Sequence, residues 1–101
     1  MKPIDLIAGA GFDFELDVGH VKLAGDDPAG FLANLPGRVP SIHAKPGGGL
    51  SVGGEGDDND WPAILAAASR VGCEWAVVEC EERRNTFEDV ERSLKFLKAR
   101  L

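Results

Sequence analysis

Strand-length apolar runs alternate three times with helix-length amphipathic segments along this chain, and that alternation restricts its fold more than any other feature. The runs FDFEL (12–16, closed by Asp17), VPSIHA (39–44) and WAVVEC (75–80) predict strands over about 12–17, 39–44 and 75–80. Pro28, Phe31, Leu32 and Leu35 follow the acidic pair Asp26-Asp27 and stop at Gly37, which predicts a helix over about 28–35. Asp60 as N-cap, Pro62 in the first turn and a face of Ile64, Leu65, Ala68 and Val71 predict a second helix over about 61–71, ended by Gly72. Thr86 and Asp89 resemble a capping box. Behind them Phe87, Val90, Leu94, Leu97 and Leu101 share a face, and late Lys95, Lys98 and Arg100 complement the helix dipole, predicting a helix over about 87–100. Residues 3–9 read as the tail of a preceding helix. Parallel strands need crossovers that helices provide, so the order strand, helix, strand, helix, strand, helix predicts an α/β fold of parallel βα units.

The composition sets limits on function. With 101 residues, 44% of them hydrophobic, the chain has the material for one small packed domain. A net charge of -6 argues against a surface that coats phosphate backbones, so nucleic acid is not an expected partner. Cys73 and Cys80 lack C-x-x-C spacing and further cysteine partners, which predicts free thiols in a reducing cytoplasm. The opening MKPIDLIAGAGF has too short an apolar run for a signal peptide, and no later run approaches the length of a membrane span. The segment PGGGLSVGGEGDDND (46–60) is too rich in glycine and polar residues for an element and is expected to be a mobile loop over one end of the sheet. It lacks the Gly-Lys-Ser/Thr ending of a phosphate loop, and DDND lacks the glycine and distal glutamate of an EF-hand, leaving a solvated, helix-capping cluster.

The residues capable of chemistry fall at equivalent places. Asp17 closes the first strand, His43 is near the end of the second and Glu79 near the end of the third. Ligands bind at that carboxyl-end edge in α/β sheets and barrels, because the βα loops open there. Two carboxylates and one imidazole suit a divalent ion: Mn²⁺, Mg²⁺, Co²⁺ or Zn²⁺. Taken singly, each has a plainer reading, since a strand-ending Asp equally serves as an N-cap and a strand His as a satisfied rim residue.

The motifs ELDVGH, GRVPSIHAKP, GEGDDNDWPAIL and WAVVECEERRNTFEDVERSLKFL, in this order, resemble the C-terminal portion of the sugar phosphate isomerase/epimerase family, within the xylose isomerase-like TIM barrel superfamily. The resemblance runs from about residue 12 to the end. It implies the C-terminal three βα units of a (βα)8 TIM barrel, a small-molecule sugar or sugar phosphate as substrate, and a divalent metal ion as cofactor. It implies Asp17, His43 and Glu79 as metal ligands, with Glu79 also catalytic in proton transfer, and His20 as substrate-binding. Lys45 is a further substrate-binding candidate, while Glu55 is implied to order its loop and Arg38 is read as a surface cation. Glu81 lies close enough to Glu79 to serve as an alternative acid.

Two departures bear on function. Many relatives have an acid after the HxK of the second motif, where this chain has Pro46. A complete barrel needs about 250 residues, and the family's other glutamate, which an earlier strand contributes, has no counterpart here. The expectation is therefore a partial barrel, incomplete for catalysis alone, that folds well with the missing units or by self-association through its unpaired strand edges.

Overall fold

In the computed structural model, residues 13–79 and 86–101 are described, together with Gly9 and Gly11. The elements in chain order are β1 (Glu15–Asp17), α1 (Val18–Leu23), α2 (Pro28–Ala33), β2 (Ser41–Ala44), α3 (Trp61–Arg70), β3 (Trp75–Val78) and α4 (Phe87–Lys98). The strands form one open parallel sheet in the order β1-β2-β3. This is the α/β architecture of three successive βα units, as the alternation predicts. The strands are shorter than the apolar runs. Cys80, Glu81 and the helix expected over residues 3–9 lie outside the described residues.

The register sets Asp17 beside His43 and Glu15 beside Ser41, and on the other side of β2 it sets His43 beside Val77. Side chains alternate between faces along a strand. Leu16, Ile42 and Ala44 therefore go to one face, where they are buried with the helices. Glu15, Asp17, Ser41, His43, Trp75 and Val77 share the other, and Trp75 and Val77 are exposed there.

Helix α1 has no counterpart in the sequence reading, because six residues containing a glycine carry little periodic signal. It starts at an N-cap, Asp17, whose side chain accepts from the His20 N–H. Gly19 allows its first turn to pass the end of β2, since a Cβ there would come within 2.9 Å of Lys45 Cγ and 3.0 Å of the Pro46 carbonyl oxygen. Asp27 caps α2 through the Ala29 and Gly30 N–H groups. Asp60 caps α3 through the Ala63 N–H. At the other end of α3, Gly72 has φ +85° and donates to the Ser69 carbonyl, while Cys73 donates to that of Ala68. These two bonds satisfy carbonyls that the helix end leaves open.

The segment 46–60, expected as a mobile loop, is held by a set of internal hydrogen bonds. Asp57 accepts from the N–H groups of Gly47 (2.8 Å), Gly53 (2.7 Å) and Asn59 (3.1 Å) and from the indole N–H of Trp61 (2.6 Å). It is the internal anchor of the loop, not part of a solvated cluster. Val52 and Ser51 are buried. The segment could not be read as ordered because its order comes from one carboxylate meeting donors up to ten residues away.

The capping box of α4 is formed as expected, with Asp89 N–H on Thr86 Oγ1 and Thr86 N–H on Asp89 Oδ2. Its buried face differs from the expected one. Ser93 accepts from the Val52 N–H at 2.9 Å and donates to the Asp89 carbonyl, and Asp89, Ser93 and Leu97 are buried. Phe87, expected on the buried face, is 94% exposed, and Leu101, beyond the end of α4, is 83% exposed.

Gly49 has φ +71°, and a Cβ there would run into the backbone carbonyl oxygen of Glu55. Gly49→Ala is expected to destabilise the chain by about 1–3 kcal/mol from backbone strain, with the clash added. Gly25, at φ +88°, faces open space, so Gly25→Ala should cost only about 1–2 kcal/mol. Urea unfolding of the two variants checks the order; equal losses would show that the loop gives way.

Candidate metal centre

Three elements bring the site together at the carboxyl ends of the strands. Asp17 is the last residue of β1, His43 is the third of four in β2, and Glu79 directly follows β3, its N–H reaching the Ala44 carbonyl at 3.3 Å. Ligand atoms of Asp17, His43 and Glu79 all lie within 4.8 Å of one another. The Nδ1 atom of His43 stands 2.6 Å from Glu79 Oε2 and 3.8 Å from Asp17 Oδ2. The sequence reading selected these three residues, and the fold brings all three together.

Asp17 is the N-cap of its plainer reading through one oxygen and leaves the other facing His43. Oδ1 accepts from the His20 N–H at 2.9 Å, which is the cap, while Oδ2 faces the two imidazoles. The cap holds the carboxylate, 17% exposed, in a fixed rotamer beside His43.

His20 and Lys45 form a second layer above this group. Lys45 Nζ lies 3.2 Å from His20 Nε2, and His20 Nδ1 lies 3.6 Å from Asp17 Oδ2. An ammonium can only donate, so Nε2 accepts and the proton of the neutral ring is on Nδ1, toward Asp17. His20 is 64% exposed, open to a ligand approaching the carboxyl-end edge.

Glu15 is the residue that motif reading missed. Its Oε1 is 2.6 Å from His43 Nε2, and its Oε2 accepts from Ser41 Oγ at 2.6 Å. The hydrogen bond from Ser41 is the main cause that holds the Glu15 carboxyl below the ordinary glutamate range; His43 adds to it, against a smaller opposing effect of burial. The available signal was the two-residue spacing to Asp17, which puts both acids on one face of a strand.

The donor set fits a divalent ion. Two carboxylates and an imidazole supply hard oxygen and borderline nitrogen ligands. Among the described residues, Glu79 Oε2 is a buried acceptor that receives no hydrogen bond of good geometry, although Nδ1 of His43 is close. Buried acceptors normally have a partner, and a cation bound by the three residues would supply one. It would also offset the repulsion among Glu15, Asp17 and Glu79 around a single imidazole.

No family model and no curated protein matches the chain. Among solved structures it is similar to the crystal structure of a sugar phosphate isomerase/epimerase from Parabacteroides distasonis, with 31% sequence identity and a TM-score of 0.75. The match covers 86% of this chain and 30% of that one, so the chain spans under a third of that protein's length. The three parallel units thus correspond to part of a TIM barrel. Among the described residues, no helix is long and apolar enough to cross a membrane.

The cap and the site functions of Asp17 are separable. Asp17→Ala should cost about 1 kcal/mol through loss of the cap, and Asp17→Asn only a few tenths, because Asn caps as well as Asp. Thermal or urea unfolding checks this, and equal losses would mean that the charge rather than the cap holds α1. A second expectation concerns pH. The lowered Glu15 pKa means that its contribution to stability, small because the carboxylate is exposed, is present above the unfolded-state pKa and is lost as pH falls through the folded-state value. Ser41→Ala should shift the Glu15 titration upward, as followed by carboxyl ¹³C NMR; an unmoved midpoint would remove Ser41 as the cause.

Proposed function

We propose that the chain forms the last three βα units of a sugar or sugar phosphate isomerase/epimerase barrel, and that Asp17, His43 and Glu79 hold a divalent ion there. The observation that carries this reading is the meeting of those three ligand groups within 4.8 Å at the carboxyl ends of three parallel strands. Similarity to a sugar phosphate isomerase/epimerase supports the substrate class. The ion would be one of Mn²⁺, Mg²⁺, Co²⁺ or Zn²⁺, whose ligand preferences overlap for this set.

When bound, such an ion supplies Lewis acidity toward the carbonyl and neighbouring hydroxyl of a sugar, lowering the cost of removing the adjacent C–H proton. The protein's own residues divide the remaining work. Glu79 exchanges a proton with that carbon, since a carboxylate beside it can act as base and then as acid. Asp17 and His43 keep the metal-facing atoms in place. His20, 64% exposed, would turn its Nδ1–H from the long 3.6 Å approach to Asp17 toward a substrate oxygen, and Lys45 adds positive charge at the same edge for a phosphate or hydroxyl. The partner glutamate that would face Glu79 across the substrate comes from another part of a barrel, so turnover requires further units.

A second reading follows from coverage. A chain that spans 30% of a solved relative can persist as a metal- or ligand-binding piece with no turnover. In either reading β1 and β3 each have one unpaired edge among the described residues, which favours pairing with further barrel strands or with a second copy.

Metal titration by calorimetry distinguishes these readings, using the chain alone and mixed with a supplied N-terminal barrel portion, after size-exclusion has established its association state. Asp17→Ala, His43→Ala and Glu79→Ala are each expected to weaken binding by more than about 10-fold. Unchanged affinity in all three would refute the shared site. Epimerisation of a sugar phosphate only in the mixture supports the enzyme, and metal binding without turnover in either state supports the remnant.

A further inference from the structure

The two nitrogens of His43 have different surroundings, and only one set has been given a role. Nδ1 faces Glu79 and Asp17, while Nε2 stands 2.6 Å from Glu15 Oε1 on the opposite side of the ring. Glu15 is itself held: its other oxygen accepts from Ser41 Oγ at 2.6 Å, so one carboxylate spans two same-face residues of β2. The parallel register makes this bridge possible, because Glu15 pairs with Ser41 while Asp17 pairs with His43.

An imidazole that binds a cation must offer one nitrogen without a proton, and the proton of the neutral ring must then sit on the other. A carboxylate beside that other nitrogen selects this tautomer, orients the ring and raises the basicity of the ligating nitrogen. We propose that Glu15, anchored by Ser41, is a positioning residue for His43 that keeps the ring proton on Nε2 and leaves Nδ1 free toward Asp17 and Glu79. This inference rests on the metal-centre reading above and assigns that site a third carboxylate, one that acts through His43 instead of contacting the ion.

Ser41 and Glu15 lie on the same face of the sheet as His43, and Ser41 Oγ donates to Glu15 Oε2 at 2.6 Å. Ser41 removes the rotational freedom that an exposed glutamate would otherwise keep, so the ring is held by a group that is itself fixed. Both residues lie away from the core, and replacing either should leave the fold in place.

The test is zinc titration of ¹⁵N-labelled chain at about pH 8, above the ordinary histidine range, read by long-range ¹H–¹⁵N spectra and by calorimetry. In the wild type, zinc should shift Nδ1 of His43 while Nε2 keeps its proton. Glu15→Ala should weaken zinc affinity about 10- to 100-fold and give mixed Nδ1 and Nε2 signals, with the melting temperature nearly unchanged. Ser41→Ala should act in the same direction by a smaller factor, and Glu15→Gln, which keeps a neutral acceptor, should recover part of the loss. Wild-type affinity and wild-type nitrogen shifts in Glu15→Ala would overturn the proposal while leaving the metal centre intact. If Asp17→Ala, His43→Ala and Glu79→Ala also left zinc affinity unchanged, or the wild type bound no zinc, the metal-centre reading would fall and this proposal with it.

Discussion

The parallel register between β1 and β2 is the constraint on which the site depends. Pairing Asp17 with His43 puts a carboxylate and an imidazole side by side on one face, and the same register puts Glu15 next to Ser41. A slip of one residue would exchange the two faces of β1. Leu16 would leave the core and both acids would enter it, so burial of Leu16 against Ile42 and Ala44 enforces the register that assembles the polar group. The core and the candidate metal centre are two faces of the same pairing.

The loop after β2 contributes in a different way. Asp57 collects three backbone N–H groups and the Trp61 indole, which closes the 46–60 segment against the start of α3. Val52, buried within that segment, donates to Ser93 and ties the loop to α4. A glycine-rich stretch that looks like slack chain is therefore the joint between the second and third βα units. Next to it, the end of β2 passes close to Gly19, and Lys45 Nζ lies 3.2 Å from His20 Nε2. The site is held by backbone packing on both sides of β2.

Much of this was legible in the residues. The alternation of runs specified an α/β chain of parallel units, the caps Asp60 and Thr86 with Asp89 sat where the helices begin, and Asp17, His43 and Glu79 were identifiable as strand-end groups. Three features were not. Helix α1 is too short for a periodic signal, the buried face of α4 includes Ser93, which is bonded to a loop 41 residues away, and Glu15 is an ordinary strand glutamate until its neighbour in the sheet is known. Each depends on a contact between segments distant in sequence.

What the sequence determined by itself is local: which stretches extend, which coil, where helices start and stop, and which side chains carry ligand chemistry. These follow from side-chain period, capping residues and donor type, all properties of a few consecutive residues. What only the tertiary structure decided is relational. It set the 2.6 Å approach of His43 Nδ1 to Glu79 and of Nε2 to Glu15, the division of Asp17 between cap and site, and the order imposed on 46–60 by Asp57. Distances of this kind arise from strand register and close packing, which no single segment encodes, because the partner in each case lies on another strand, helix or loop.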